Sequence, residues 1–132
     1  MMIVPSIPTD RKTWESEIAT YWWEEDYLVS LSKSTLRTVV RISENVELVK
    51  EITNGKPTPL LIYLVNSPVP DKATRKFSTE KLPEVYSAMA MVSKPGLAQF
   101  IMNLLFSIKK PPIPMKSFKN KLEAVSWLKN PS

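Results

Sequence analysis

The sequence predicts an α/β fold, a single mixed sheet with an N-terminal antiparallel hairpin followed by alternating helix and strand units. Three observations carry that expectation. Two β-rich runs flank a short acidic loop near the start of the chain, the pattern of a hairpin. Residues 38–54 repeat apolar side chains at helical spacing and lead, through Asn54-Gly55, into a run that is apolar at nearly every position. That order of helix then strand recurs to the C-terminus, and such alternation implies parallel strands joined by right-handed crossovers. At 132 residues the chain fits one domain, since domains run to roughly 100–150 residues.

Residues 1–13 hold Pro5, Pro8 and Thr9-Asp10-Arg11-Lys12, and read as a flexible arm ahead of one domain over 14–132. Beyond Glu17, Ile18, Thr20 and Trp22 alternate with Ala19, Tyr21 and Trp23. Glu24-Glu25-Asp26 interrupts the run and residues 27–31 resume it. In the helix at 38–54, Val39, Ile42, Val46, Val49 and Ile52 or Thr53 form one stripe of 3.6-residue period. Thr38 is placed to cap it, and Asn54-Gly55 supplies the left-handed residue that stops it. The apolar run 59–65 suits a central strand covered on both faces. After a rigid loop at 66–70, Asp71 is placed to cap a short exposed helix over 72–81, with Ala73 and Phe77 inward. Residues 86–92 read as a strand. Ser93 is placed to cap a helix over 94–108, with Pro95 in its first turn and apolar residues nearly all round. Pro111, Pro112 and Pro114 must end it. A brief strand at 115–118 follows. The last helix starts at Asn120, with Glu123 completing a capping box, and ends near Lys129. Its apolar face is Leu122, Val125 and Leu128, flanked by Ala124 and Trp127.

Composition removes several kinds of chemistry. The chain has no cysteine and no histidine, so disulfides, thiolate nucleophiles and the usual zinc and haem ligand sets are excluded. With Gly55 and Gly96 its only glycines, a glycine-rich phosphate-binding loop is impossible. A general base would have to be a carboxylate or a desolvated lysine. The acids pair nowhere beyond the hairpin tip, where Glu24, Glu25 and Asp26 read as solvated, because a calcium site draws on about six to eight oxygens with defined spacing. The expectation is a protein that is not an enzyme and has no cofactor and no metal.

Charge divides unevenly along the chain. Residues 1–54 carry six Lys/Arg against nine Asp/Glu, and residues 55–132 twelve against four, for a net +5. The basic residues are scattered singly, whereas phosphate-backbone binding favours a clustered stripe with aromatics between. A solvated basic face is the reading, with no nucleic acid partner. The longest apolar stretch, 96–108, contains Gln99, Asn103 and Ser107, well short of the roughly 18 apolar residues of a membrane helix. With no export signal visible at the start and no cysteine, a soluble cytoplasmic protein is expected.

Three stretches resemble a known family. The first is 47–56 with Pro59 and the strand 60–64. The second is 88–92 running into Ser93 and Pro95. The third is Asn103, Phe106, Ile108, the segment 110–114, Phe118 and the ending 124–128. Together they span roughly residues 17–130 and are similar to the bacterial STAS-like proteins, the sulphate transporter and anti-sigma factor antagonist fold, and to a small stand-alone subgroup of them. The resemblance implies a regulatory module that works by protein contact. In regulated members a serine at the head of a helix, after an acidic turn, is phosphorylated. Asp71 occupies the place of that turn's aspartate and the phosphoacceptor position falls on Ala73, which cannot take a phosphate, so the switch is expected to be absent. Ser67, Thr74 and Ser78 are nearby hydroxyls that nothing singles out. The subgroup often has glycine before the helix asparagine and aromatics after it; Met102, Leu104 and Leu105 stand here instead.

The candidate partner- or ligand-binding residues are Asp71, Lys72, Thr74 and Arg75 at the head of the helix 72–81, with Phe100, Asn103 and Leu104 on the helix 94–108. Asp71 also has a plain structural reading as a cap. Asn103, if buried, needs a hydrogen bond, for which a neighbouring loop backbone is the expected acceptor or donor. Met89, Met91 and Met102 read as core filler. The spacing of Pro111 and Pro114 matches P-x-x-P, yet a rigid connector accounts for it. The first functional reading is a non-catalytic regulatory or protein-interaction module that binds a protein partner or itself, as a homodimer. The alternative is a carrier or sensor of a small apolar or lipid-like ligand, with the helix 94–108 walling a cleft.

Overall fold

The computed structural model describes residues 5–105 and 111–131. Six strands lie side by side in chain order: β1 (Trp14–Glu15), β2 (Ala19–Trp23), β3 (Leu28–Ser32), β4 (Thr58–Tyr63), β5 (Tyr86–Val92) and β6 (Met115–Phe118). β1, β2 and β3 pair antiparallel, while β3 to β6 pair in parallel. The helices α1 (Val39–Thr53), α2 (Lys72–Val85) and α3 (Leu97–Leu105) make the crossovers, and α4 (Lys121–Leu128) follows the last strand. The mixed α/β sheet expected from the sequence is therefore the fold.

Side-chain parity assigns each strand residue to a face. Tyr21, Ser30, Ile62 and Met91 form one cross-strand row, and Leu28, Leu60, Met89 and Met115 the next on the same face. That face meets α1, α2 and α3. The opposite face carries Trp22, Val29, Leu61 and Ala90, and α4 covers it with Ala124 and Leu128. Small residues on both sides, Ala124 against a strand bearing Ala88 and Ala90, let α4 approach the sheet closely. The three-helix face is built of larger, more spaced side chains and does not close up in the same way.

Helix ends follow the expected chemistry. The Thr38 hydroxyl accepts from the Arg41 amide at 3.1 Å, and Asn54, at φ 55°, takes the left-handed position that ends α1. Asn120 accepts from the Glu123 amide at 3.0 Å at the head of α4.

Several elements differ from the sequence reading. Ahead of the hairpin, Arg11 donates to the Trp23 carbonyl and to Glu24, and β1, a strand the sequence did not predict, pairs with the hairpin edge. α2 runs a turn further than 72–81, to Val85, and contains Pro83. A proline in the last turn forfeits one amide bond, and burial of Val85 offsets that loss. Ala73 is exposed, whereas Thr74 is buried. The cap at Asp71 sets the helix phase so that Thr74, Ser78, Leu82 and Val85, not Ala73, lie inward. α3 starts at Leu97, after Pro95 rather than around it, because Gly96 at φ 85° makes a turn that a helix cannot include. The helix is also not buried all round, since Gln99, Phe100 and Asn103 are exposed. In α4, Leu122 is 82% exposed. Two positions from Ala124 on a helix is nearly the opposite side, so burying Ala124 and Leu128 turns Leu122 outward. The expected helical residues 106–108, together with Lys109 and Lys110, lie outside the described residues. Among the described residues, no helix is long and apolar enough to cross a membrane.

Candidate functional site

Ser30 and Ser32 occupy inward positions of β3, in the same parity as Leu28. Two short side chains in the middle of a sheet face leave space above them that the helices do not fill. The result is a cavity of about 270 Å³ between the sheet and the layer of α1, α2 and α3. For comparison, an apolar cavity of ~150 Å³ accommodates benzene. Its walls are largely aliphatic: Val46 of α1, Leu60 and Ile62 of β4, Met89 and Met91 of β5, and Ile101 and Leu104 of α3. The exposed residues Asn66, Ser67, Pro68 and Val69 border it, as does Phe100. This loop follows the carboxyl end of β4, the place where open parallel sheets commonly receive ligands.

The floor is polar. Tyr21 from β2 and Tyr86 from β5 reach over the two strands between them until their hydroxyls lie 3.0 Å apart. Asn45 of α1 donates from Nδ2 to the Tyr21 hydroxyl at 2.8 Å, and its Oδ1 accepts from Ser16 at 2.7 Å. Ser16 in turn accepts from the amides of Ile18 and Ala19. Burial pushes both phenols above their ordinary range. The neighbouring Tyr21 adds to the rise at Tyr86, while the bonds from Tyr86 and Asn45 work against it at Tyr21.

This network is incompletely satisfied. Two phenolic protons share one mutual bond, and Asn45 supplies a donor, not an acceptor, so within this trio one phenolic proton is left without an acceptor. Ser30 is only 1% exposed; its hydroxyl has no partner at normal hydrogen-bond distance among the described residues, and it sits near enough to its cross-strand neighbour Tyr21 to work, with Tyr86 and Asn45, against the rise in that phenol's pKa. A buried hydroxyl left unpaired costs about 1–3 kcal/mol. Beside the floor, Arg37 donates from Nη1 to the carbonyls of Lys33 and Thr35 and from Nη2 to that of Ile18. Burial pulls its pKa down from the free value, but a guanidinium stays charged at any physiological pH.

The candidate residues from the sequence divide into two groups. Arg75, Phe100 and Leu104 meet at the cavity; Arg75 also donates to the Pro70 carbonyl at 2.8 Å. Phe100 is 53% exposed on the rim and Leu104 is half-buried. Asp71, Lys72, Thr74 and Asn103 are not part of it. Asp71 is exposed and accepts from the Thr74 amide at 2.8 Å, and its bonding to Thr74 holds its pKa below the usual carboxylate value. Lys72 faces water and Thr74 is enclosed. Asn103 is exposed and accepts from Gln99 Nε2 at 2.9 Å on its own helix, and among the described residues the loop-backbone bond expected of a buried asparagine is not made. Exposure removes the need for one.

Ser30, Asn45 and Arg37 were missed from sequence. A signal existed: Ser30 and Ser32 break an otherwise apolar inward alternation, and Asn45 falls on the inward stripe of α1 three residues after Ile42. At the acidic hairpin tip, Glu24 accepts from Arg11 and from Trp22 Nε1. Among the described residues no group of three acids converges as metal ligands do.

Comparisons with known proteins agree with this architecture. A family model described as a domain of unknown function, DUF7793, matches residues 21–132. No curated protein matches the chain. Among solved structures, it is similar to an uncharacterized protein of the DUF3478 family with a SpoIIAA-like fold from Shewanella loihica PV-4. The TM-score is 0.58 at 18% sequence identity, over 83% of this chain and 91% of that one. The fold is thus STAS-like, as the sequence resemblance implied.

Proposed function

This chain belongs to the DUF7793 family, and we propose that it is a non-catalytic binding module whose cavity takes up a small apolar ligand. The observation that carries the reading is the aliphatic cavity of about 270 Å³ set over a polar floor with unmet hydrogen bonds. Ligand pockets combine mostly apolar walls with a few polar groups that fix orientation, and both parts are here. The floor offers hydrogen bonds, but its phenols have raised pKa values, which suits holding a ligand and not removing its protons. The alternative raised by the sequence therefore becomes the leading one.

The test is calorimetric titration with 1-octanol of the wild-type chain and of Val46→Phe, which fills the cavity from α1. Saturable binding by the wild type, lost in a variant with an unchanged circular dichroism spectrum, is expected. Absence of wild-type binding, or equal binding by the folded variant, would overturn the reading.

A second reading, contact with a protein partner or a second copy, is favoured by one observation. Phe100, a large aromatic residue, stands 53% exposed on the cavity rim beside the 66–70 loop. A phosphoserine switch is not part of either reading. The position at the head of α2 is Ala73, and Thr74 beside it is buried with its amide engaged by Asp71.

A further inference from the structure

Among the described residues, the charged side chains that line the cavity are Arg37, Arg75 and Lys81, with no aspartate or glutamate. Lys81 pairs at 3.1 Å with Glu84, a carboxylate it shares with Lys50. Neither Arg37 nor Arg75 has a carboxylate partner among the described residues. Arg37 is the more confined of the two. Its three bonds to carbonyls leave two of its five N–H groups, Nε–H and one on Nη2, without an acceptor among those residues. Carbonyl oxygens fix where the guanidinium points but do not cancel its charge. The Ser30 hydroxyl, which can donate or accept, and the phenolic proton left over from the Tyr21–Tyr86 pair add hydrogen-bonding capacity on the floor. The charge left unpaired at this cavity thus asks for an anion.

We infer that the ligand is an apolar acid, with its hydrocarbon part among the aliphatic walls and its anionic head on the guanidinium of Arg37. This deepens the binding role proposed above and rests on it. The planar fork of an arginine matches a carboxylate better than a point charge does, and charge-assisted bonds are about twice as strong as neutral ones. The inference has a sharp consequence. In an uncharged apolar pocket, a carboxylate binds more weakly than the alcohol of equal chain length, because burying an unpaired charge is costly. Here the order reverses.

The experiment compares sodium octanoate with 1-octanol at neutral pH by calorimetry, on the wild-type chain and on Arg37→Gln. Octanoate is expected to bind at least ~10-fold more tightly than octanol to the wild type. Arg37→Gln is expected to abolish that preference, cutting octanoate affinity at least ~10-fold more than octanol affinity. If octanol binds and octanoate binds no better, the acid assignment is overturned and the apolar-ligand reading stands. A preference that persists in full in Arg37→Gln overturns the assignment to Arg37. If neither compound binds the wild type, both proposals fall. Should Arg37→Gln unfold, the wild-type comparison decides alone.

Discussion

Replacing Ser30 by alanine removes one oxygen from the floor of the cavity and changes little else. Such a change ordinarily destabilises, since a typical buried hydrogen bond contributes ~1 kcal/mol. Here the sign is expected to be opposite. The hydroxyl is buried and makes no hydrogen bond of normal length, its only resolved influence being on the Tyr21 phenol, so the folded state bears much of its desolvation cost, about 1–3 kcal/mol, uncompensated. Alanine has a slightly poorer strand preference, worth a few tenths of a kcal/mol. A net gain of ~1 kcal/mol is expected for the ligand-free protein. Unfolding entropy scales as about 2.1 cal/mol/K per residue, so for 132 residues that gain raises Tm by about 3–4 °C. Thermal unfolding of ligand-free wild type and Ser30→Ala, followed by circular dichroism, measures it. A variant that melts 2 °C or more below the wild type would show that the hydroxyl is paired and would refute the accounting of the floor.

Two other outcomes are accessible with the same material. Burial raises the pKa of all four tyrosines, with Tyr27 pushed up to about 12 by burial with Glu24 adding to it. A tyrosine in the unfolded chain titrates near ~10. Their contribution to stability is therefore whole below that pH and is lost as pH rises through the folded values. Phenolate absorbance above pH ~10 is expected to appear only together with loss of the far-ultraviolet dichroism; ionisation near pH 10 in an intact fold contradicts this. Phe100→Glu, on the exposed rim, is expected to melt within ~2 °C of the wild type and to convert any self-associated wild type to monomer in light scattering. A variant that unfolds places Phe100 in the core, and an unchanged oligomer rules out this face of α3 as the contact.

The order and type of the elements were legible because each rests on local chemistry. Thr38, Asn54 and Asn120 satisfy helix ends wherever the helix sits, and the alternation through 18–31 makes a hairpin without help from the rest of the chain. Orientation within a helix was less legible. Ala73 and Leu122 were read as inward from hydrophobicity, but a helix turns its best-packing stripe to the core, and the neighbours choose that stripe. For α4 the choice fell on Ala124, whose small size matches Ala88 and Ala90 across the gap.

The site was least legible of all. Arg75, Phe100 and Leu104 could be singled out, one by one, as residues with something to offer. Their convergence with Arg37 and Ser30, which lie 38 or more positions earlier in the chain, depends on the sheet order and on how far α1, α2 and α3 stand from β3. The amino-acid order by itself determined a mixed α/β sheet, the helix caps and the absence of thiol and imidazole chemistry, all of which follow from residue types and their near neighbours. Tertiary structure alone decided that a hollow exists and that cations but no carboxylates line it. A void and its charge are properties of surfaces brought together from distant segments, and no local pattern encodes them.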